Sequence, residues 1–303
     1  MELAGKRFLV TGGYGFIGSH VVDELVETRT AEVVVFDAAV PDESPWGVEA
    51  RLIQGDVRDR GAVREAAEGA DGVFHLAVLP LGPSVDDPRL AHDVNVGGTL
   101  NVLEAARDAG VAKVVYSSAS SVYGDTNETM DEAHPLATRT MYGATKLAGE
   151  LYLRAFNDAY GLDYVTLRYM NVYGPRQEGG LVIAVTRRLL AGEAPRIQGD
   201  GSQSFDFVHV RDVASANVRA MEADVGDDAF NVGSGHEASV REVVGKLIEI
   251  TGAEVEPEYD CSRRVLNARR VGSSARASDV LGWEAAIGLD EGLRETVDWV
   301  RGS

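Results

Sequence analysis

"VTGGYGFIGSH", residues 10–20, is the stretch whose reading decides the fold. It overlaps the end of an apolar run, "RFLVT" (7–11), and opens a helical pattern. Gly12, Gly15 and Gly18 make a GxxGxxG pattern, and Gly13, Gly15 and Gly18 also satisfy GxGxxG. A strand, a glycine turn and a helix start in that order form an anion site. The glycines permit the tight turn, and the helix N-terminus, where Phe16 and Ile17 stand, offers amides and partial positive charge to a pyrophosphate. Nineteen residues past Gly18, the run "EVVVFD" (32–37) ends in Asp37. A carboxylate there can accept from both ribose hydroxyls and repels a 2′-phosphate, which selects NAD over NADP. The next residues, "AAVPDE", contain no arginine to reverse that choice.

Working outward, "ARLIQ" (50–54), "GVFHL" (72–76), "KVVYS" (113–117) and "DYVTLRY" (163–169) read as further strands. They are continuously apolar and rich in valine, as strands covered on both faces are. Helical patterns fall between them near 16–28, 60–68, 89–109 and 140–160. This alternation predicts an α/β fold, a doubly wound, Rossmann-like parallel sheet with right-handed crossovers. After Tyr173 the pattern loosens into a helix (181–191), a strand (206–210), a helix (213–223) and a short strand (229–232). "SVREVVGKLIEITG" carries a capping box, Ser239 and Glu242, and stops at Gly252. The expected division is an NAD-binding domain over 1–172, with 206–232 returning to it. A smaller, interleaved substrate lobe takes 173–205 and 233–303.

The 303 residues, 45% of them apolar, suffice for one large or two small domains. No run approaches the roughly 20 apolar residues of a membrane helix. The formal charge of −19 argues against nucleic acid or an anionic membrane as the main partner. Lysine occurs only as Lys6, Lys113, Lys146 and Lys246; such a surface suits either salt adaptation or a GC-rich genome. The single cysteine, Cys261, fits a reducing cytoplasm, and the opening residues lack a signal region, so a cytoplasmic location is expected. The six histidines show no metal-ligand spacing, and no metal is expected.

Together, "TGGYGFIGSH", Asp37, "GDVRD", "FHLA", "DVNVGGTLNVLEAA", "VVYSSASSVYGD", "YGATKLAGE" and "LRYMNVYGPRQ" resemble the extended short-chain dehydrogenase/reductase family, the NAD-dependent sugar-nucleotide epimerases and dehydratases. The likeness continues more weakly to the end of the chain. It implies that Asp56 and Val57 face the adenine, that Leu76 and Ala77 lie where the cofactor crosses the sheet, and that Asn95, Ser117 and Tyr169 border the cofactor. In "YGATK", it makes Tyr142 the acid–base group and Lys146 the holder of the nicotinamide ribose. The spacing suits that chemistry. Residues four apart share a helix face, and free tyrosine, with a pKa of about 10, needs nearby positive charge to act as a base.

The family also places a Ser or Thr four residues before the "VYG" tyrosine, here Ala119. That leaves the sugar-binding hydroxyl open between Ser118 and Ser120, with Ser118 slightly favoured for its place nearer the strand end. Members that eliminate water carry Asp–Glu where this chain has Ser120 and Ser121, and decarboxylating members carry Glu at the second position. What remains is epimerisation at C4 of a nucleotide sugar, with UDP the expected nucleotide. The competing readings are a dehydratase or other C4-oxidising enzyme, and a cofactor-binding regulatory protein. For the substrate, the resemblance implies Asn171 at the diphosphate. The arginine usual before "DF" is Phe205, so Arg269 or Arg270, preferably Arg270, is expected to supply the phosphate contact. Arg176 is a candidate partner for the sugar. Helices around 92–108 and 144–158 are expected to pair across a two-fold axis, giving a homodimer through a four-helix bundle.

Overall fold

The computed structural model describes every residue except 29, 31 and 263–268. From the N-terminus come β1 (Arg7–Thr11), α1 (Phe16–Glu27), β2 (Glu32–Asp37), β3 (Ala50–Gln54), α2 (Arg60–Ala67) and β4 (Gly72–His75). Next are α3 (Leu81–Asp86), α4 (Pro88–His92), a π-helical turn (Asp93–Gly97), α5 (Gly98–Asp108), β5 (Lys113–Ala119), α6 (Met141–Tyr160) and β6 (Asp163–Tyr169). The rest comprises β7 (Asn171–Tyr173), α7 (Leu181–Leu190), β8 (Arg196–Gln198), β9 (Ser204–His209), α8 (Val210–Glu222) and β10 (Asp228–Val232), then β11 (Glu237–Ser239), α9 (Val240–Thr251), β12 (Glu258–Asp260), β13 (Arg269–Arg270), α10 (Ala275–Leu281) and α11 (Leu289–Gly302).

Seven strands form one parallel sheet in the order β10-β6-β5-β4-β1-β2-β3. The order reverses between β1 and β4, so the crevice above those strand ends is the natural ligand site. Alternate residues of each valine-rich strand enter two cores. Phe8, Val10 and Val35 meet α1 and α8 on one face. Leu9, Val34 and Val114 meet α2, α5 and α6 on the other. Each such fully buried side chain contributes about 1.5–3 kcal/mol of hydrophobic stabilisation.

The returning segment begins at Val210 rather than at 206. β10 closes the edge of the main sheet beside β6, and α8 packs on α1. β9, placed by its sequence with the returning part, instead centres a second sheet, pairing with β7 and β13 in parallel and with β11 antiparallel. A third core, including Val182, Phe207, Val243, Leu247 and Leu293, joins that sheet to α7, α9 and α11. α9 carries both bonds of the expected capping box and ends on left-handed Gly252.

Candidate functional site

The phosphate loop is held by backbone contacts. Gly12 has φ +69°, and a Cβ there would lie 2.6 Å from Ala77 N. A Cβ on Gly18 would lie 2.1 Å from Gly12 O. The loop is therefore a cradle with no room for side chains at these two positions, as close approach of a pyrophosphate requires. Asp37 ends β2 beside it, its Oδ2 accepting from Tyr14 N at 3.0 Å. Asp56 lies next along the wall, its carboxyl held below the usual range by hydrogen bonds from Arg58.

These residues open into a cleft of about 610 Å³ that runs past Val57, Leu76 and Ala77 to the far strand ends. Its lining takes in the expected Gly12, Gly15, Phe16, Ile17, Gly18, Asp37 and Asp56 at one end. At the other end it takes in Ser117, Ser118, Ser120, Tyr142, Tyr169, Asn171 and Arg270. Tyr142 and Lys146 lie on the first turns of α6, whose N-terminus Thr140 caps by accepting from Gly143 N at 3.0 Å. A Cβ on Gly143 would lie 2.7 Å from Ser121 O, so the small residue lets the tyrosine's turn close on the serine loop.

Lys146 lies behind the lining rather than in it. It is 1% exposed and donates from Nζ to Ser117 O at 2.6 Å. Nζ stands 5.0 Å from the centre of the Tyr116 ring and 5.9 Å from that of Tyr142. Burial pushes Lys146 down to about 7, against the pull of Glu150, and pushes the Tyr142 phenol up to about 12. The protein alone therefore keeps Tyr142 protonated near neutrality, and a positive charge in the cleft is what would favour the phenolate. His75 is packed, bonded to Thr11 Oγ1 at 2.7 Å and Thr99 Oγ1 at 2.9 Å.

Three of the expected residues are engaged by other parts of the protein. Arg176 is not among the residues lining the cleft; its Nη1 donates to Asp23 Oδ2 at 2.8 Å on α1. Asn95 is 2% exposed and its amide bonds Leu79 and Thr145, so it holds the loop after β4. Ser118, although at the lining, donates its hydroxyl to Glu150 Oε1 at 2.5 Å and is 1% exposed. Ser120 makes no side-chain hydrogen bond among the described residues and keeps its place at the cleft. The neighbouring Ser121 Oγ is buried without a partner.

The two arginine candidates separate. Arg269 is committed to Glu237, Asn127 O and Thr129. Arg270 enters the cleft next to Phe205, with which β13 and β9 pair it in register. Its Nε is buried and unpartnered, a costly state that an anion would relieve.

Sequence reasoning missed the ion pair behind the cleft. Glu150 accepts from Arg168 Nη2 at 2.7 Å, and Arg168 Nη1 donates to Tyr123 Oη at 2.9 Å. The available signal was Glu150 itself, one turn after Lys146 in "YGATKLAGE".

The family model described as "NAD dependent epimerase/dehydratase family" matches residues 8–233. The UDP-glucose 4-epimerase of Mycolicibacterium smegmatis is 39% identical over 312 residues, covering 97% of this chain and 98% of that one. The crystal structure of UDP-glucose 4-epimerase with UDP-glucose from Thermotoga maritima superposes with a TM-score of 0.92 at 36% identity, covering 98% and 99% of the two chains. That of Thermus thermophilus UDP-glucose 4-epimerase with NAD gives 0.87 at 35%, with the same coverage. The family match over most of the chain, with relatives well above 30% identity along nearly its whole length, shows that the chain belongs to the NAD-dependent epimerase/dehydratase family.

Proposed function

We propose that this protein is an NAD-dependent UDP-sugar 4-epimerase. The observation that carries the reading is the single cleft joining the glycine cradle to Tyr142 and to the unpartnered Nε of Arg270. It offers a cofactor site, an acid–base group and an anion contact in one line. Its relatives of known structure, described as UDP-glucose 4-epimerases, support the same assignment.

Gly12, Gly15 and Gly18 hold the pyrophosphate of NAD, and Asp37 its adenosine ribose; Asp56 and Val57 border the adenine. NAD, when bound, would supply the acceptor and donor of the C4 hydride, and its positive nicotinamide would favour the Tyr142 phenolate. Tyr142 removes the proton from the sugar 4-hydroxyl and gives it back to the keto oxygen after the sugar has turned over. Lys146, locked to Ser117 O, fixes the charge beneath that tyrosine. Ser120 takes the hydroxyl role that Ala119 cannot fill. Arg270 and Asn171 bind the diphosphate, and this contact anchors the substrate while the 4-keto sugar rotates.

We further propose a homodimer in a reducing cytoplasm. α5 and α6 pack together, and α6 leaves Leu151 (58% exposed) and Tyr152 (36%) on its outer side, a face that a second copy would cover. No described helix is long and apolar enough to cross a membrane.

The test is incubation with NAD and, separately, UDP-glucose, UDP-glucuronate and UDP-N-acetylglucosamine, following the anomeric protons by NMR. The expected outcome is one new anomeric signal, that of a 4-epimer. Loss of sugar without a 4-epimer, or silence from all three with NAD bound, would overturn the reading.

A further inference from the structure

Arg176 is one of two described non-glycine residues with positive φ, at +66°. That backbone is strained for arginine and persists only where neighbours hold it. It lies in the loop after β7, the strand that brings Asn171 and Val172 to the cleft. Its side chain pairs with Asp23, half-buried on α1.

Asp23 grips two loops with its two oxygens. Oδ2 accepts from Arg176 Nη1 at 2.8 Å. Oδ1 accepts from Trp46 Nε1 at 2.6 Å. The Trp46 ring in turn meets Tyr14 edge-on, centroids 6.3 Å apart, and Tyr14 lies inside the glycine cradle with its N–H on Asp37. One turn earlier on the same helix, His20 Nε2 donates to Pro175 O at 3.1 Å, seconding the hold on the substrate-side loop. None of Asp23, Trp46, His20 or Arg176 lines the cleft.

We propose that Asp23 is a positioning residue that ties the phosphate loop and the substrate-side loop to one point on α1. Cofactor retention and nucleotide-sugar binding then depend on the same carboxylate. The inference rests on the proposed function for what the cleft holds. An epimerase must return the hydride to the sugar it came from, so holding both ligands through one group suits that cycle.

The test uses the full-length protein as Asp23→Ala, Trp46→Phe and Arg176→Ala, with NAD release followed after dilution and UDP affinity by calorimetry. UDP binding reads the substrate arm without turnover, so a wrong assignment of the reaction leaves this test intact. Trp46→Phe should speed NAD release and leave UDP affinity unchanged. Arg176→Ala should weaken UDP and raise KM with kcat nearly unchanged. Asp23→Ala should do both. Each effect is about two- to five-fold, the range partly exposed pairs support. If the alanine variant does not fold, Asp23→Asn should move both readouts in the same directions. A lowered melting point with NAD release and UDP affinity unchanged would overturn the proposal, as would Trp46→Phe and Arg176→Ala each moving both readouts equally.

Discussion

At the cofactor end of the cleft, Gly12, Gly15, Gly18 and Asp37 come from one continuous strand–helix–strand unit, β1 to β2. At the sugar end, Tyr142, Asn171, Phe205 and Arg270 come from α6, β7, β9 and β13, spread over more than a hundred residues. The first end is built from backbone: positive φ, close approach and helix amides, which only certain residues at fixed spacings permit. The second is built from side chains, and a side chain of the right chemistry can arrive from any strand the topology brings near. A missing group at the first end would be fatal to binding. At the second a contact could be supplied from elsewhere, and Arg270 lies beside Phe205 in the β9–β13 register.

The sharpest probe of this contrast is Tyr142→Phe, because no neighbour can replace a phenol on the turn beside the cofactor. Turnover should fall by about 10³-fold or more, the scale of general acid–base catalysis, while bound NAD and the melting temperature stay as in the parent. Activity within tenfold of the parent would remove Tyr142 from the chemistry.

Next comes Arg270→Ala. Losing a charge-assisted contact to phosphate costs about 1.5–3 kcal/mol, so UDP affinity and KM should worsen roughly 10- to 100-fold with NAD retention intact. The double variant Arg270→Ala with Phe205→Arg tests replaceability directly. Position 205 lies beside 270 in the β9–β13 register, so an arginine there should recover part of the loss. Failure to recover any of it would show that the sugar end is as strict as the cofactor end.

This contrast also says what could be read in advance. The strands of the main sheet, α6 and the glycine cradle are written in local pattern, and the structure places them within a residue or two of the expected bounds, whereas the short β7, β8, β11, β12 and β13 are not read from the sequence. Arg176 is of a type that suits an anionic sugar, and its side chain pairs with Asp23, a residue 153 positions earlier. The Ser118 hydroxyl is likewise claimed by Glu150 on another element. No spacing rule carries such long-range claims on a side chain. The strand near 206–210 is expected with the returning part of the first domain; its pairing with β7, β11 and β13 is not written in so short an apolar run.

A smaller effect probes the frame under the cofactor end. Burial, aided by the charge on Lys146, pushes His75 down to about 3. Unfolded imidazole protonates near 6.5, so between those values the unfolded chain binds the proton and the native chain does not. Stability is therefore fully present above about 6.5 and is lost as pH falls. From pH 6.5 to 5.0 the loss attributable to His75 is about 2 kcal/mol. Urea unfolding of His75→Asn at both pH values should show a pH dependence flatter by that amount. Equal slopes for the two proteins would mean that His75 takes up its proton while folded.

The least of these effects decides which serine serves the sugar. Ser118 and Ser120 sit two apart around Ala119, and the sequence alone favours the first. In the fold, Ser118 satisfies Glu150, and Ser120 has no claim on it from the protein. Ser118→Ala should then cost about 1 kcal/mol of stability, the net worth of one hydrogen bond, with kcat changed by less than about threefold. Ser120→Ala should leave stability unchanged and lower kcat by about tenfold, because the lost contact strengthens only as charge develops on the sugar oxygen. The opposite pattern would mean that the Ser118–Glu150 bond breaks when substrate binds. It would also mean that the sugar end is completed by rearrangement, whereas the cradle at the other end is ready before any ligand arrives.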